Sequence, residues 1–428
     1  MKKKIGITLA VVVLLVCVIS VAALAGCKEK VTAENAQAAT EANWAEIDNK
    51  SATTTVNINN AEIALGVNGD SKAVSITASA QVTLNRTWAD GVLTIDVTAK
   101  PTAIGLSVDI TGDGKDDLGS AIKTLLTKTV NFDKLTGLEF KAQAFYNYGS
   151  EAKTIGVRNM TVSGLASAIP AVVEGNPTAN ITDQPYAIKF MNSSSGEYDV
   201  SEVSFDLASI DLSGAKNILD SVFGEGYNLD LVGIIEGLLV NQTMLDFSNA
   251  TSAAYADGQY QNNVKVTDNL NFITEIWNQI NDEGKAMVGS MLEGAGIVYD
   301  DNGTPENKLD DKKIMIGNVL KNILGVNTLS NVLPDLLAKV EGTMSVRGAV
   351  EDGIFTSLDA TLTGTRISLT KANVKYIVEN VAKPVIASID NISKDVQKII
   401  DQVLPVITKG SAYISLGTIT VNSTFATA

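Results

Sequence analysis

Oxygen-bearing side chains recur at alternate positions in one short stretch of this chain, at Asp109, Thr111 and Asp113, followed by Gly114, Lys115 and Asp117. Such spacing can wrap a hard cation, because Ca2+ takes about 6–8 oxygen ligands and a glycine lets the backbone turn sharply around it. The same residues have a second reading. Asp and Gly are ordinary turn formers, and Asp116 and Asp117 precede a helical pattern whose N-terminus favours negative charge.

Little else in the chain offers chemistry. It contains no histidine and only two cysteines, Cys17 and Cys27. Zinc and copper sites built on His or Cys are excluded, as are the Ser-His-Asp and Cys-His nucleophile arrangements that need an imidazole. A formal charge of −15 disfavours nucleic acid, which needs a basic footprint. Asp and Glu total 48, yet no spacing rule brings two of them together for glycoside hydrolysis, and aromatics make up only 5% of the chain. A second acidic stretch, from Asp300 and Asp301 to Asp310 and Asp311, reads as a solvated loop. The expectation is a protein that is not an enzyme.

The Asp109–Asp117 stretch resembles the DxDxDG calcium loops of EF-hands, dockerins and integrin-type repeats, and the resemblance implies that Asp109, Thr111, Asp113 and Asp117 give side-chain oxygens and Lys115 its carbonyl. It differs in the neutral Thr111 and in Ser120, which stands where an EF-hand places its bidentate Glu. The N-terminus carries another pattern. Lys2, Lys3 and Lys4 precede an apolar core from Ile5 to Val21, and Leu24, Ala25, Gly26 and Cys27 follow it. This resembles the signal peptide and lipobox of bacterial lipoprotein precursors. The resemblance implies loss of residues 1–26, a diacylglycerol on Cys27, and a mature chain lipid-anchored to a bacterial membrane outside the cytoplasm. Each buried methylene contributes about 0.8 kcal/mol, so two or three acyl chains hold durably where one does not. The alternative is an uncleaved membrane helix, since Ile5–Ala25 approaches the ~20 residues of a span. After cleavage Cys27 is the lone cysteine, and disulfides within the mature chain are impossible.

The remaining chain has to supply a fold from its core alone. Residues 27–50 are polar and alanine-rich, with Trp44 the one aromatic, and read as a tether. From Ser51 the pattern has period two: Val56, Ile58, Ile63 and Leu65, then Val74, Ile76, Val82 and Leu84, with Thr, Ser and Asn between them. These are antiparallel strands with one buried and one solvated face. Three Asp-Gly pairs, Asp90-Gly91, Asp257-Gly258 and Asp352-Gly353, sit between alternating segments and predict hairpins. Similar sequence follows the first and third, and Lys216-Asn217-Ile218-Leu219 echoes Lys321-Asn322-Ile323-Leu324. Two similar halves, with a boundary near 240–270, are one explanation and chance is the other.

Helical periodicity falls near Leu118–Leu126, Ala215–Phe223, Leu229–Val240, Leu270–Leu292, Lys312–Leu324 and Leu329–Val340. The longest run, Asn373–Ile407, is expected to kink at Pro384. A last strand, Ala412–Phe425, changes apolar phase at Gly417, as a bulge would require. The sequence therefore predicts an α+β body over residues 51–428, a curved antiparallel sheet with long amphipathic helices packed on it. The function expected of such a body on a lipid anchor is binding of a hydrophobic ligand or lipid in an apolar cavity between helices and sheet. The alternative is a surface interaction or structural lipoprotein, stabilised by calcium if the Asp109 loop holds it.

Overall fold

In a computed structural model of the chain, the described residues are 51–127, 130–169, 186–191, 198–211, 255–256, 259–265, 280–351, 354–389 and 392–425, with isolated positions between 213 and 278. The signal segment, the tether and the expected helices at 215–223 and 229–240 lie outside them. Among the described residues strand outweighs helix. That corrects the expected class: this is a mostly β protein, a large antiparallel sheet with barrel-like closure, and not a sheet covered by long helices.

Among the described residues the sheet has 13 strands. Four dominate: β1 (Ala52–Asn68), β2 (Ser71–Ala89), β3 (Val92–Val108) and β13 (Ile354–Leu369), each 16 to 19 residues long. Beyond β3 lie β4 (Glu139–Asn147), β5 (Thr154–Ser163), β7 (Tyr198–Asp206) and β6 (Tyr186–Met191). On the other flank, β1 pairs with β14 (Ser411–Ser415) and β15 (Thr418–Phe425), then come β13, β12 (Val340–Glu351), β9 (Gln259–Lys265) and β8 (Tyr255–Ala256). A separate hairpin joins β10 (Gly296–Asp300) to β11 (Lys312–Met315), so the second acidic stretch is its connecting loop.

All three Asp-Gly pairs connect paired strands across two residues: Ala89 faces Val92, Ala256 faces Gln259, and Glu351 faces Ile354. At the first turn Asp90 and Gly91 have φ of 52° and 77°, the left-handed pair that suits a tight hairpin to strand twist. Gly417 also behaves as expected. It separates β14 from β15 with φ of 67°, and a Cβ there would stand 2.1 Å from the Asn59 carbonyl oxygen.

Gly417 belongs to a larger feature. Opposite it, β1 breaks register between Ile58 and Ala61, with Asn60 at φ 56°. The ladder of β2 and β3 shifts at Ser79/Ala80, β13 carries Gly364 at φ 67°, and β12 shifts between Glu341 and Thr343. A crease thus crosses six adjacent strands. Because a one-residue slip turns a strand's whole side-chain set over, these bulges fix the register of strands otherwise long enough to slide.

On one side of the crease the sheet has a largely apolar face. Val56, Val82, Leu84, Leu93, Ile95, Val97, Tyr146, Leu358, Val421 and Phe425 form its core, with Thr54 and Ser423 hydrogen-bonded to each other within it at 2.9 Å. The opposite face is a polar ladder, in which Thr53 bonds Asn85, Gln81 bonds Asn57, and Gln143 bonds Asp96. Across the crease a second core joins Val74, Val108 and Ala412 to helices.

Those helices are short. The first, α1 (Gly119–Leu126), matches the sequence reading; α2 spans Leu165–Ala168, α3 Asp282–Gly294, α4 Ile316–Leu324 and α5 Val332–Leu337. The expected Leu270–Leu292 helix is interrupted, for α3 starts afresh where the Asn281 side chain caps the Gly284 amide. Lys312–Met315, expected as helix, is strand β11. The expected long helix from Asn373 to Ile407 is four pieces: α6 (Lys371–Ile377), a π-turn over Val378–Ala382, α7 (Lys383–Ala387) and α8 (Lys394–Ile407). The π-turn lies just before Pro384, and Ser393 caps α8 afresh. Their apolar faces, Val374, Val378, Val403, Leu404 and Ile407, pack onto Leu65, Val74 and Leu369.

Candidate functional site

The Asp109 loop connects β3 to α1, and each of its carboxylates is engaged by the loop's own backbone. Buried Asp109 accepts from the amides of Gly112 (2.6 Å) and Gly114 (2.8 Å). Asp117 accepts from Ile110 and Thr111, Asp116 from Val108, Gly119 and Ser120, and Asp113 from the amide and ammonium of Lys115. Burial works against the charge on Asp109, yet these amides outweigh it and hold the carboxyl below its usual range. Thr111 donates to Asp109 at 3.4 Å. Among the described residues no three acidic side chains converge closely enough to hold a metal ion. The sequence residues meet in one loop, then, as a self-satisfied acidic turn that closes on the helix N-terminus.

Sequence reading missed a second polar cluster. Glu62 on β1, Lys72 and Ser75 on β2 and Tyr413 on β14 come together on one face of the sheet. Lys72 Nζ donates to both Glu62 oxygens (2.7 and 2.8 Å), Ser75 Oγ to Oε1 and Tyr413 OH to Oε2 (2.5 Å each). The ammonium also lies 5.7 Å above the Tyr413 ring. Beside the cluster is a cleft of about 650 Å³, lined by Asp70, Lys72, Arg366, Ser368, Thr370 and Tyr413 among others. Burial would raise the Glu62 carboxyl, but the three hydrogen bonds and the Lys72 charge outweigh it and lower it. Burial likewise opposes the Lys72 charge, and Glu62 more than restores it; burial and Glu62 together raise Tyr413. Every shift moves a group further from neutrality, so none is poised as a general acid or base. The cluster is a clasp that ties the β1–β2 hairpin to the C-terminal strands. Glu62 was its one visible signal, being the sole charged residue from Ser51 to Gly69.

A third feature lies on the sheet's apolar side, between the two cores. Register places Val340, Ile367, Ile414, Ile63, Ile76 and Leu106 side by side on six adjacent strands. Strand β2 passes through the crease with its alternation intact, so Ile76 and Val82 share a face, and the row continues the first core's surface. Its middle is uncovered: Ile63, Ile76 and Ile414 are 41%, 40% and 51% exposed. No protein-family model, curated protein or solved structure matches this chain. On one side of the row Leu369, Ala412, Leu65, Val74 and Val108 form the next row, roofed by α6, α8 and the start of α1. On the other, Ala61 and Ala78 face each other, with Ile104 beside Ala78 on β3. Where α6 and α8 meet the sheet, Val374, Val378 and Ile407 belong to one core with Val74, Val108 and Ala412. A second cleft, about 410 Å³ and lined by Ala52, Arg86, Thr424 and Phe425, opens at the far end of the sheet. Among the described residues no helix is long and apolar enough to cross a membrane, which leaves strands unaddressed.

Proposed function

We propose that this chain is a lipid-anchored extracytoplasmic lipoprotein, attached through Cys27, that binds a hydrophobic ligand on the exposed aliphatic row of its sheet. One observation carries the reading: three isoleucines, aligned across β14, β1 and β2, remain 40–51% exposed between two well-buried cores. Scattered apolar side chains need no explanation, whereas a contiguous strip bounded by walls has the form of a binding surface. No catalytic step is part of the proposal.

The test is to express residues 28–428, purify them without detergent and examine organic extracts by mass spectrometry. A stoichiometric lipid, absent from an Ile63→Asp/Ile414→Asp variant of unchanged melting temperature, supports the reading. An empty protein that also takes up no fluorescent fatty acid counts against it. The second reading, a surface interaction or structural lipoprotein, draws on the polar ladder of the opposite face and would gain from that outcome.

A further inference from the structure

We infer that Asn68 is a site of spontaneous covalent modification, at which the side-chain amide leaves as ammonia and the peptide bond can migrate onto the side chain; this is independent of the hydrophobic-ligand reading. The chain contains two Asn-Gly pairs, Asn68-Gly69 and Asn302-Gly303. Each sets a carboxamide beside a main-chain nitrogen that no neighbouring side chain shields. The glycine nitrogen gives its proton to water, attacks the Asn Cγ and expels ammonia, closing a cyclic imide. Water then opens the imide. Opening at Cγ gives an ordinary aspartate, and opening at the main-chain carbonyl gives an isoaspartate, in which the backbone runs through Cγ and is one methylene longer.

Both asparagines are exposed, so exposure does not separate them; hydrogen bonding does. Asn68 closes β1 and faces Ser71 across the turn Gly69-Asp70. Gly69, at φ of 60°, takes the first central position of that turn, and nothing lies within 4 Å of where its Cβ would be. Among the described residues, no group bonds the Asn68 carboxamide or the Gly69 amide. In the β10–β11 loop the same pair is tied down. The Gly303 amide donates to Asp301 Oδ1 at 2.9 Å, the Asn302 amide to Asp300 Oδ1 at 2.9 Å, and Asn302 Nδ2 to the Asp310 carbonyl. Ring closure there must first break the bond on the nucleophile and the bond on the departing amide, which slows it by about tenfold or more. The product at Asn68 acts on the clasp. Val67, its neighbour, faces Lys72 on β2 and Ser411 on β14, so a longer backbone and a new carboxylate next to Asp70 disturb the turn that carries Lys72 to Glu62.

The test holds the native protein in neutral buffer, samples it over weeks, and maps its peptides by mass spectrometry with fragmentation that tells aspartate from isoaspartate. A second sample is held in urea. In the native protein Asn68 should convert about tenfold or more faster than Asn302, and in urea the two rates should converge, because the hydrogen bonds that set them apart are gone. Equal native rates, faster conversion of Asn302, or a native Asn68 that stays intact while the urea sample reacts overturns the inference. Asp301→Ala removes the acceptor of the Gly303 amide, and should speed Asn302 while leaving Asn68 unchanged. An Asn302 rate that does not move overturns the hydrogen-bond account of the contrast.

Discussion

Replacing Glu62 by Gln tests the clasp between the first and last strands. The carboxylate accepts from an ammonium, a hydroxyl and a phenol at 2.5–2.8 Å, and glutamine supplies one neutral acceptor and turns an amide N–H toward those donors. Losing a charge-assisted bond in a partly buried setting costs about 1.5–3 kcal/mol. The Lys72 side chain is 34% exposed, against 14% for Glu62, so water recovers part of its share, and the net loss should be about 2 kcal/mol. Tyr413→Phe removes one donor and should cost about 1 kcal/mol, with a coupling of similar size in the double-mutant cycle. The pH dependence follows from the sign of the shift. The folded Glu62 pKa lies below its ordinary 4.5, so its stabilisation is fully present above that value and is lost as pH falls through the folded pKa. Urea unfolding of both proteins between pH 7 and pH 3 should show a constant gap down to about pH 4.5 that narrows below it. A variant within 0.5 kcal/mol of the parent at pH 7, or a gap that stays flat to pH 3, would refute the argument.

Gly417→Ala should destabilise the protein by about 3 kcal/mol or more, measured by thermal unfolding, because its Cβ collides with backbone at a positive φ; a loss under 1 kcal/mol would mean the crease yields. Thr365 is 6% exposed and its hydroxyl has no hydrogen-bond partner, so Thr365→Val should be neutral or stabilise by about 0.5–1 kcal/mol, and a clear loss would show that the hydroxyl is bonded after all. Asp109→Ala should lower the melting temperature equally in chelator and in calcium, since the lost bonds are to Gly112 and Gly114; a loss confined to calcium buffer would establish a metal site instead. Cys27→Ala should release the chain from membranes, whereas continued integral insertion would favour an uncleaved helix.

What the sequence reveals here depends on how local the cause is. Hairpins were legible because an Asp-Gly pair suits the left-handed turn that Asp90 and Gly91 adopt. The irregularity at Gly417 was legible because apolar phase changes there, although it divides the expected strand into β14 and β15. Helix lengths were not: the apolar period from Asn373 runs on past Ala387 in sequence, while a π-turn and a fresh Ser393 cap break it in space. The clasp was hidden because Glu62 and Tyr413 are 351 residues apart. Alternation also marked Ile63, Ile76 and Ile414 as apolar-face residues, which they are, but periodicity cannot say whether a face will be covered.

The position of β1 carries a consequence for how the protein is made. Its partners are β2, its immediate successor, and β14/β15, so that Ala52 lies against Phe425. A ribosome adding about 5–20 residues per second needs on the order of 20–70 s to pass from the first strand to its second partner. For that time one flank of a 17-residue strand has no neighbour, and β13 waits for the same two strands. An unpaired strand edge is a template for other chains. Completion of the sheet is thus a late, single event set by the arrival of residues 411–425, and a chain arrested before Ser411 would present two long open edges to whatever quality control surveys its compartment.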